Sequence, residues 1–248
     1  MYNNNYRTFG INHKDNENKH VNFSSGSVKS FIYGGIDGLF TSFCLLMSTT
    51  GAKINYTIFL VLNLSNILGG AISMGCGDFL SSYSELELVQ KEYSREKREM
   101  EMYPKEELNE MVEIYINRYN IPKETAKYIL SSMFSYSNLF LDHMFNLELG
   151  LIAPKSNDFN EIIQESIITF FSFIIFGSIP LLSLLITSSL NISIGISFFS
   201  TFTLGYFKGY IIKENKLLAG IKLLLVATIC GSLSYYIAQL SQYLFLTN

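Results

Sequence analysis

Charge is missing from two long stretches of this 248-residue chain. Residues 167–207 contain no Asp, Glu, Lys or Arg, and neither do residues 223–248. A helix needs about 20 apolar residues to cross the ~30 Å hydrocarbon core of a membrane, and both stretches are long enough. The apolar content of 48% would also suit a soluble domain, so the distribution of charge decides the class. We predict an integral membrane protein.

Several catalytic and binding patterns are also missing. The three cysteines, Cys44, Cys76 and Cys230, lie in apolar segments without a CxxC pair, which argues against a disulfide framework and a zinc knuckle. No Walker motif indicates ATP as the energy source, and no Ser, Cys or His constellation indicates nucleophilic catalysis. The chain has no basic stripe, so we expect no nucleic-acid partner.

Five apolar segments are predicted to cross the membrane as helices, at residues 31–51, 56–80, 167–190, 191–207 and 217–245. The boundary between the third and fourth spans, around Ser188, carries no charge. The polar residues 1–29 are predicted to be a disordered cytosolic tail, without the apolar core of a cleaved signal peptide. The predicted fold class is an all-α membrane protein, with spans one and two in residues 30–83 and spans three to five in residues 160–248.

The basic residues predict the orientation. With the N-terminus in the cytosol, 17 of the 18 Lys and Arg residues lie on the cytosolic side, and only Lys53 lies on the other. Basic residues favour the cytosolic side of membrane proteins. The C-terminus is then predicted to be lumenal or extracellular.

A charged insert separates the second and third spans. Of the 21 acidic residues, 17 lie between Asp78 and Glu165. Residues 85–102 are predicted to continue the second span as a helix, and Pro104 and Pro122 each precede a helical run, at 105–118 and 123–134. A further helical stretch at 138–149, which continues the last run after a bend, ends at Gly150. We predict a cytosolic three-helix unit over residues 84–151, with a bend in its last helix.

Asp37 interrupts the first span. An ionisable group inside a membrane helix costs roughly 3 kcal/mol or more, so it usually marks an ion or proton pathway. The alternative is a carboxylate near the interface that simply reaches water. Gly34 and Gly38, on either side of it, have the spacing that permits close helix packing.

One face of the second span carries a similar signal. Met74 and Asp78 are one helical turn apart, and Gly70 and Asn66 continue the same face. Asp37 and Met74 lie at the same depth, ~10–12 Å from the cytosolic ends of antiparallel helices. A carboxylate facing a thioether favours a transition metal over Mg²⁺ or Ca²⁺.

The insert offers a second set of oxygen ligands. Pairs spaced to share a helical face are Glu96 with Glu99, Glu107 with Glu110, and Met144 with Glu148. His143, beside Met144, is a weaker ligand candidate. Charged helix faces are more often merely solvated, so spacing alone leaves both interpretations open.

Several of these segments together resemble the vacuolar iron transporters. The resemblance lies in residues 34–39 (GGIDGL), 70–75 (GAISMG) and 77–81 (GDFLS), and continues in the insert at 95–99 (REKRE), 107–110 (ELNE) and 148–151 (ELGL). It extends from residue 31 to the C-terminus. The last three spans resemble the family mainly in hydropathy.

The resemblance implies a homodimer in the lipid of a vacuole or another endomembrane. It implies export of Fe²⁺ from the cytosol into that organelle in exchange for protons, with Mn²⁺ and other divalent transition metals as further cargoes. The metal is bound only transiently, and no resident cofactor is implied. By position, Asp37 and Met74 match the membrane pathway, which Asp78 and Asn66 extend, and Gly34, Gly38 and Gly70 serve helix packing. The matched ligands of the cytosolic domain are Glu96, Glu99, Glu107, Glu110, Met144 and Glu148.

Three positions depart from the family pattern. Asp78 stands where the family more often has Glu, and Asn66 where relatives can have a carboxylate. Phe145 replaces the second residue of a Met pair, which should weaken the preference of the site for soft metals.

Two other functions are compatible with parts of the pattern. Paired glutamates on a helical bundle also occur in di-iron carboxylate oxidases, but those sites use Glu-x-x-His motifs, and here Glu99 and Glu110 stand at the His positions. A metal-sensing membrane scaffold is the other alternative. Asp37 argues against it, because a scaffold needs no charge within a span.

Overall fold

The computed structural model describes residues 25–246. Its secondary structure is eight helices: α1 Ser25–Gly51, α2 Tyr56–Met102, α3 Pro104–Tyr119, α4 Lys123–Phe134, α5 Ser137–Leu149, α6 Asp158–Thr187, α7 Leu190–Ile212 and α8 Lys216–Leu246. Five segments are long and apolar enough to cross a membrane: Gly26–Gly51, Tyr56–Met102, Asp158–Thr187, Leu190–Ile212 and Lys216–Leu244. The predicted all-α class is therefore confirmed, with five candidate membrane-spanning helices.

The start of α1 differs from the prediction. Residues 1–24 of the predicted disordered tail lie outside the described residues, but residues 25–29 already belong to α1. Ser27 and Ser30 are buried there, and the carboxylate of Glu165 lies against Gly26. Packing and a negative group beside a helix N-terminus both favour an earlier start, although the local sequence is polar.

Local chemistry accounts for the other membrane helix ends. The side chain of Asn55 caps α2 by accepting a hydrogen bond from the backbone N–H of Thr57 at 3.1 Å. The uncharged junction predicted around Ser188 separates two helices, because Ser188 adopts a left-handed conformation (φ 49°) that ends α6. Lys213 ends α7 in the same way (φ 60°).

Helix α6 organises the membrane half. It packs against α1, α2 and α7, whereas α1 and α2 contact each other much less, and α8 packs against α7 and α1. A Cβ atom at Gly34 would lie 2.6 Å from the carbonyl oxygen of Thr169, and one at Gly38 would lie 2.3 Å from that of Phe173. The two glycines thus bring the backbone of α1 against α6 rather than against α2.

Between the second and third spans, α3, α4 and α5 pack with one another, and α3 and α5 also pack against the end of α2. Pro104 begins α3 directly after Tyr103 at the end of α2, and Gly150 ends α5 with a φ of 68°. Residues 135–136 separate α4 from α5, where we had predicted a bend within one helix. The predicted boundary at residues 83–84 falls inside α2, which is continuous over 47 residues. The cytosolic placement of this unit stays a prediction.

Candidate metal site

Three carboxylates from three helices converge in this helical unit. Oxygen atoms of Glu96 on α2, Glu107 on α3 and Glu148 on α5 all lie within 4.8 Å of one another. Carboxylate oxygens at this separation can bind a single divalent cation. We call Glu96, Glu107 and Glu148 the acidic cluster.

The turn between α2 and α3 creates the cluster. The chain reverses at Tyr103, so Glu96 near the end of α2 and Glu107 in the first turns of α3 can face each other. Helix α5 contacts both α2 and α3 and supplies Glu148 in its last turn. An apolar core holds the helices in place, and its fully buried members include Met111, Leu130, Phe140 and Met144.

Two of the three carboxylates are almost sealed from water. The exposed fractions of Glu96 and Glu107 are 1% and 7%, whereas Glu148 reaches solvent. Carboxylates are rarely buried without a partner of opposite charge. Glu96 has one such partner, because Arg95 donates a hydrogen bond from Nη2 to its Oε1 at 2.7 Å.

Arg95 is shared among three carboxylates on the same helix. Its Nη1 lies 2.9 Å from Glu92 and its Nε lies 3.9 Å from Glu99. Arg95 is also half-exposed, so solvent screens these pairs. A single screened cation cannot neutralise the whole acidic cluster.

The uncompensated negative charge changes the pKa of Glu107. Its pKa is raised from 4.5 to about 7, first by burial and then by the negative charges of Glu110, Glu148, Glu96 and Glu99. The pKa of Glu148 is also raised, by burial and by neighbouring carboxylates, while Arg95 partly opposes the shift. Glu99 and Glu110 lie outside the cluster of three but close enough to act on it electrostatically. The site concentrates negative charge that a divalent cation would neutralise.

The predicted membrane residues lie on two helices. Asp37 lies on the exposed surface of α1, whereas we had expected it inside, facing Met74 across a cavity. The difference arises because α1 packs its glycine face against α6, which leaves Asp37 on another side of the helix. Met74, Asn66 and Gly70 are half-buried on α2.

Asp78 and Gly70 both meet α6. Thr169 donates a hydrogen bond from Oγ1 to Oδ2 of Asp78 at 2.7 Å. A Cβ atom at Gly70 would lie 2.6 Å from the ring of Phe173, so the absence of a side chain makes room for that ring. The face of α2 that carries these residues is therefore partly occupied by α6.

Comparison with known proteins decides the family. Residues 28–239 match the model of the VIT family. The chain belongs to the VIT family. Vacuolar iron transporters of Plasmodium berghei and Toxoplasma gondii are 31% identical to it over 231 and 248 residues. These matches cover 89% and 96% of this chain and 84% and 80% of the two relatives. A vacuolar iron transporter of Plasmodium falciparum is 37% identical over 167 residues, which is 67% of this chain and 61% of that protein.

VIT proteins are transporters and not enzymes. This decides against a di-iron oxidase, as the sequence had already suggested. Among the described residues, His143 is not part of the acidic cluster. Its Nε2 instead forms a 2.6 Å hydrogen bond with the hydroxyl of Tyr115, and burial lowers its pKa.

Met144, the predicted sulfur ligand of this VIT chain, lies one turn before Glu148 on α5. Its side chain is fully buried within the apolar core of the unit. Phe145, which stands where the family pattern has a second Met, packs its ring edge-on against Tyr93. At this position, aromatic packing thus takes the place of a second thioether.

Sequence reasoning missed the polar pairs that hold this VIT site together. The hydroxyl of Tyr93 donates to Oδ1 of Asp142 at 2.7 Å, and burial together with this bond raises the pKa of Tyr93 to about 12. Tyr93 lies three residues before Glu96 and Tyr115 eight after Glu107, so helical spacing places each on the side of its glutamate. That spacing was the available signal, but their partners on α5 lie 49 and 28 residues away.

Proposed function

We propose that this VIT chain exports Fe²⁺ from the cytosol into a vacuole or another storage organelle in exchange for protons. The relatives that cover most of its length carry the name vacuolar iron transporter. The five apolar helices are long enough to cross a membrane, which such a function needs. Mn²⁺ and other divalent transition metals are further candidate cargoes.

The observation that carries this proposal is the convergence of Glu96, Glu107 and Glu148. The cluster collects the metal before transport, and Glu99 and Glu110 add negative charge around it. A thioether ligand from Met144 would favour Fe²⁺ over Mg²⁺ and Ca²⁺, because those hard ions prefer oxygen alone. Since Glu107 has a pKa of about 7, binding of the metal displaces a proton there.

Asp37, Met74, Asp78 and Asn66 form the membrane stage of the proposed pathway. A carboxylate must be ionised to bind a metal ion, so the metal and a proton compete for the same group. Asp37 would bind the metal from the cytosolic side and take up a proton from the other. That competition is the simplest way to couple the two opposed movements.

The distribution of basic residues supports the orientation, with the N-terminus and the acidic cluster in the cytosol and the C-terminus in the lumen. The cluster then faces the compartment from which the metal is exported. This arrangement makes the helical unit a receptor for cytosolic metal.

A homodimer completes the proposal. In the single chain Asp37 lies on the exposed surface of a membrane helix, where contact with lipid would be costly. Helix α2 also exposes a stripe of small side chains at four-residue spacing, formed by Ser65, Gly69, Ser73 and Gly77. Small residues at this spacing allow two membrane helices to approach closely. A second copy of the chain would cover both features.

The function is tested by Fe²⁺ uptake into proteoliposomes that carry a proton gradient. We expect Asp37→Asn to reduce the flux by about tenfold or more, since losing the charge removes at least ~1.4 kcal/mol of ion binding. Glu113→Gln, a matched change at an exposed carboxylate of α3, should leave the flux unchanged. Uptake that ignores the gradient would contradict proton exchange, and full activity of Asp37→Asn would remove Asp37 from the pathway.

A further inference from the structure

Two buried polar side chains in the membrane half have no hydrogen-bond partner within residues 25–246. Asn63 on α2 and Ser42 on α1 have exposed fractions of 0%. Neither Oδ1 nor Nδ2 of Asn63 has a partner, and neither does Oγ of Ser42. An unpaired amide or hydroxyl in apolar surroundings costs roughly 2–7 kcal/mol. These two groups therefore call for a polar ligand.

Other buried hydroxyls in this half form hydrogen bonds with backbone carbonyls or with each other. The hydroxyl oxygens of Ser183 and Ser193 lie 2.7 Å apart, and each lies 2.9 Å from the carbonyl oxygen of Pro180. One hydroxyl can therefore donate to that carbonyl while the other donates to its neighbour. Ser197 and Thr201 each donate to a carbonyl one turn earlier in α7. Ser42 does not make that local bond, so its hydroxyl remains available.

Both unpaired groups lie where α1, α2 and α6 meet. Asn63 is one turn from Phe59 and one turn from Ile67, and Ser42 is one turn before Leu46. Phe59, Ile67 and Leu46 all pack into one apolar cluster with residues of α6. Ser42 itself lies against Gly177 of α6, where an added Cβ would be 3.4 Å from its Oγ.

Helix α6 adds a further acceptor in this region. Pro180 lies inside α6 and is buried, and its nitrogen carries no hydrogen. The carbonyl oxygen of Phe176 therefore lacks its usual helical donor. An amide, a hydroxyl and a carbonyl make a neutral set, with both donors and acceptors and without a carboxylate. Such a set suits water better than a bare divalent cation, which prefers carboxylates.

A cavity lies next to this pair. It has a volume of about 410 Å³ and lies at the end of the bundle that carries the connections after α1 and α6, with Thr49, Thr50 and Ser188 in its wall. Leu46, Phe59 and Leu184 line it as well, and these three also belong to the apolar cluster. Since Leu46 and Phe59 are each one turn from an unpaired group, a thin apolar layer separates the cavity from Ser42 and Asn63.

We propose that Asn63 and Ser42 bind buried water, and that Leu46, Phe59 and Leu184 form a gate through which this water exchanges with the cavity. The proposed orientation places the cavity on the lumenal side. This inference rests on the proposed proton exchange: protons reach the membrane half by passing from one hydrogen-bonded water to the next through the open gate. Each water that accepts a proton releases another, so no atom is gained or lost.

Water access is tested by cysteine labelling in the full-length chain with Cys44, Cys76 and Cys230 replaced by alanine. The reagent is a small, charged methanethiosulfonate. Thr50→Cys, in the cavity wall, should react fast, and Ala71→Cys, fully buried two turns deeper on the Asn63 face of α2, should not react. We expect Asn63→Cys to react slowly, and Phe59→Ala to accelerate it by about tenfold or more because a layer of side chains is removed. Equal rates at positions 63 and 71, with and without Phe59→Ala, would overturn the proposal.

Transport supplies the second readout. Asn63→Leu keeps the branched shape of the side chain but removes the polar group, and a purely structural Asn63 would make this variant as stable and as active as the unmodified chain. We expect its melting temperature and its Fe²⁺ binding to be retained while gradient-driven Fe²⁺ uptake falls about tenfold, and Asn63→Ser to restore part of that uptake. Unchanged gradient-driven uptake in Asn63→Leu overturns the inference. If Fe²⁺ uptake by the unmodified chain does not depend on the gradient, the proposed proton exchange is wrong instead. The labelling experiment then still tests the water site.

Discussion

Glu107 is nearly sealed from water and lies among four other carboxylates, so its charge state decides how much repulsion the helical unit contains. Glu96, its neighbour in the cluster, at least has the guanidinium of Arg95. Glu107 has no ion pair of its own among the described residues. It therefore holds its proton to a pKa of about 7 in the folded protein, against an ordinary value of 4.5.

This difference predicts how stability depends on pH. Between these two pKa values the folded state binds more protons than the unfolded state, so the stability from protonation is present below pH 4.5 and is lost as pH rises through about 7. We expect the melting temperature of the metal-free protein to fall between about pH 5 and about pH 8. Glu107→Gln should reduce that fall, whereas Glu113→Gln should not. The same slope in all three proteins would show that Glu107 does not titrate in this range.

The sequence predicted a set of glutamates that includes all three members of the acidic cluster. It did not predict which of them converge. Spacings of three residues put Glu96 with Glu99 and Glu107 with Glu110 on shared faces, which does not say which member of each pair points inward. That choice depends on the tilt of α2, α3 and α5, which the apolar core sets. Arg95 was visible only as part of a charged motif, and its bond to Glu96 joins neighbours that helical spacing does not place on one face.

Helix packing explains the glycines of the first span. The structure leaves no room for a side chain at Gly38, because the atom it would strike is a backbone oxygen of Phe173, 2.3 Å from the added Cβ. Backbone cannot move aside as the end of a flexible side chain can. The contact between α1 and α6 therefore depends on the absence of that carbon.

A pair of alanine substitutions tests this contact. Gly38→Ala should lower the melting temperature in detergent, since α1 and α6 must separate. Gly195→Ala on α7 has nothing within 4 Å of the added carbon and should leave the melting temperature unchanged or slightly higher, with at most ~1 kcal/mol from helix propensity. Equal melting temperatures for the two variants would contradict the packing described here.

Hydropathy was sufficient to predict the five spans, because each helix presents a long apolar surface to lipid and to its neighbours. The early start of α1 was not predictable in this way. It depends on a contact with a distant segment, Glu165 beside Gly26. The sequence also could not predict which helix packs against Gly34 and Gly38. Small residues at four-residue spacing indicate close packing but do not identify the partner helix.

At the scale of the whole molecule, the exposed position of Asp37 is the main observation behind the proposed homodimer. The reasoning from the sequence expected Asp37 to face Met74 on the neighbouring helix. A sequence gives the depth of a residue in the membrane, but the side of a helix that is covered depends on the assembly. The small-residue stripe of α2 also supports the proposed homodimer, because its four members are exposed in the single chain.

Cys76 offers a direct test of the proposed dimer. It is exposed and lies on the same side of α2 as Gly69 and Ser73. If two α2 helices meet along the stripe, a short bifunctional thiol reagent should link the chains in membranes, and Cys76→Ser should abolish the link. Cys44→Ser and Cys230→Ser are the controls, since those half-buried thiols lie on α1 and α8. Links that survive Cys76→Ser, or none at all, would place the interface elsewhere.

Helix α2 continues without a break from its apolar segment to the acidic cluster, so its regular winding fixes the direction of one relative to the other. Asp78 and Glu96 are 18 residues apart, which is five complete turns and ~27 Å along the axis, so they point in the same direction. One residue inserted between them would rotate the acidic cluster by about 100° around the axis of α2. An insertion of 18 residues would restore its direction and move it ~27 Å along the axis. The distance between Asp78 and the acidic cluster along α2 is thus tied to the angle between them, and only insertions of nearly whole turns preserve that angle.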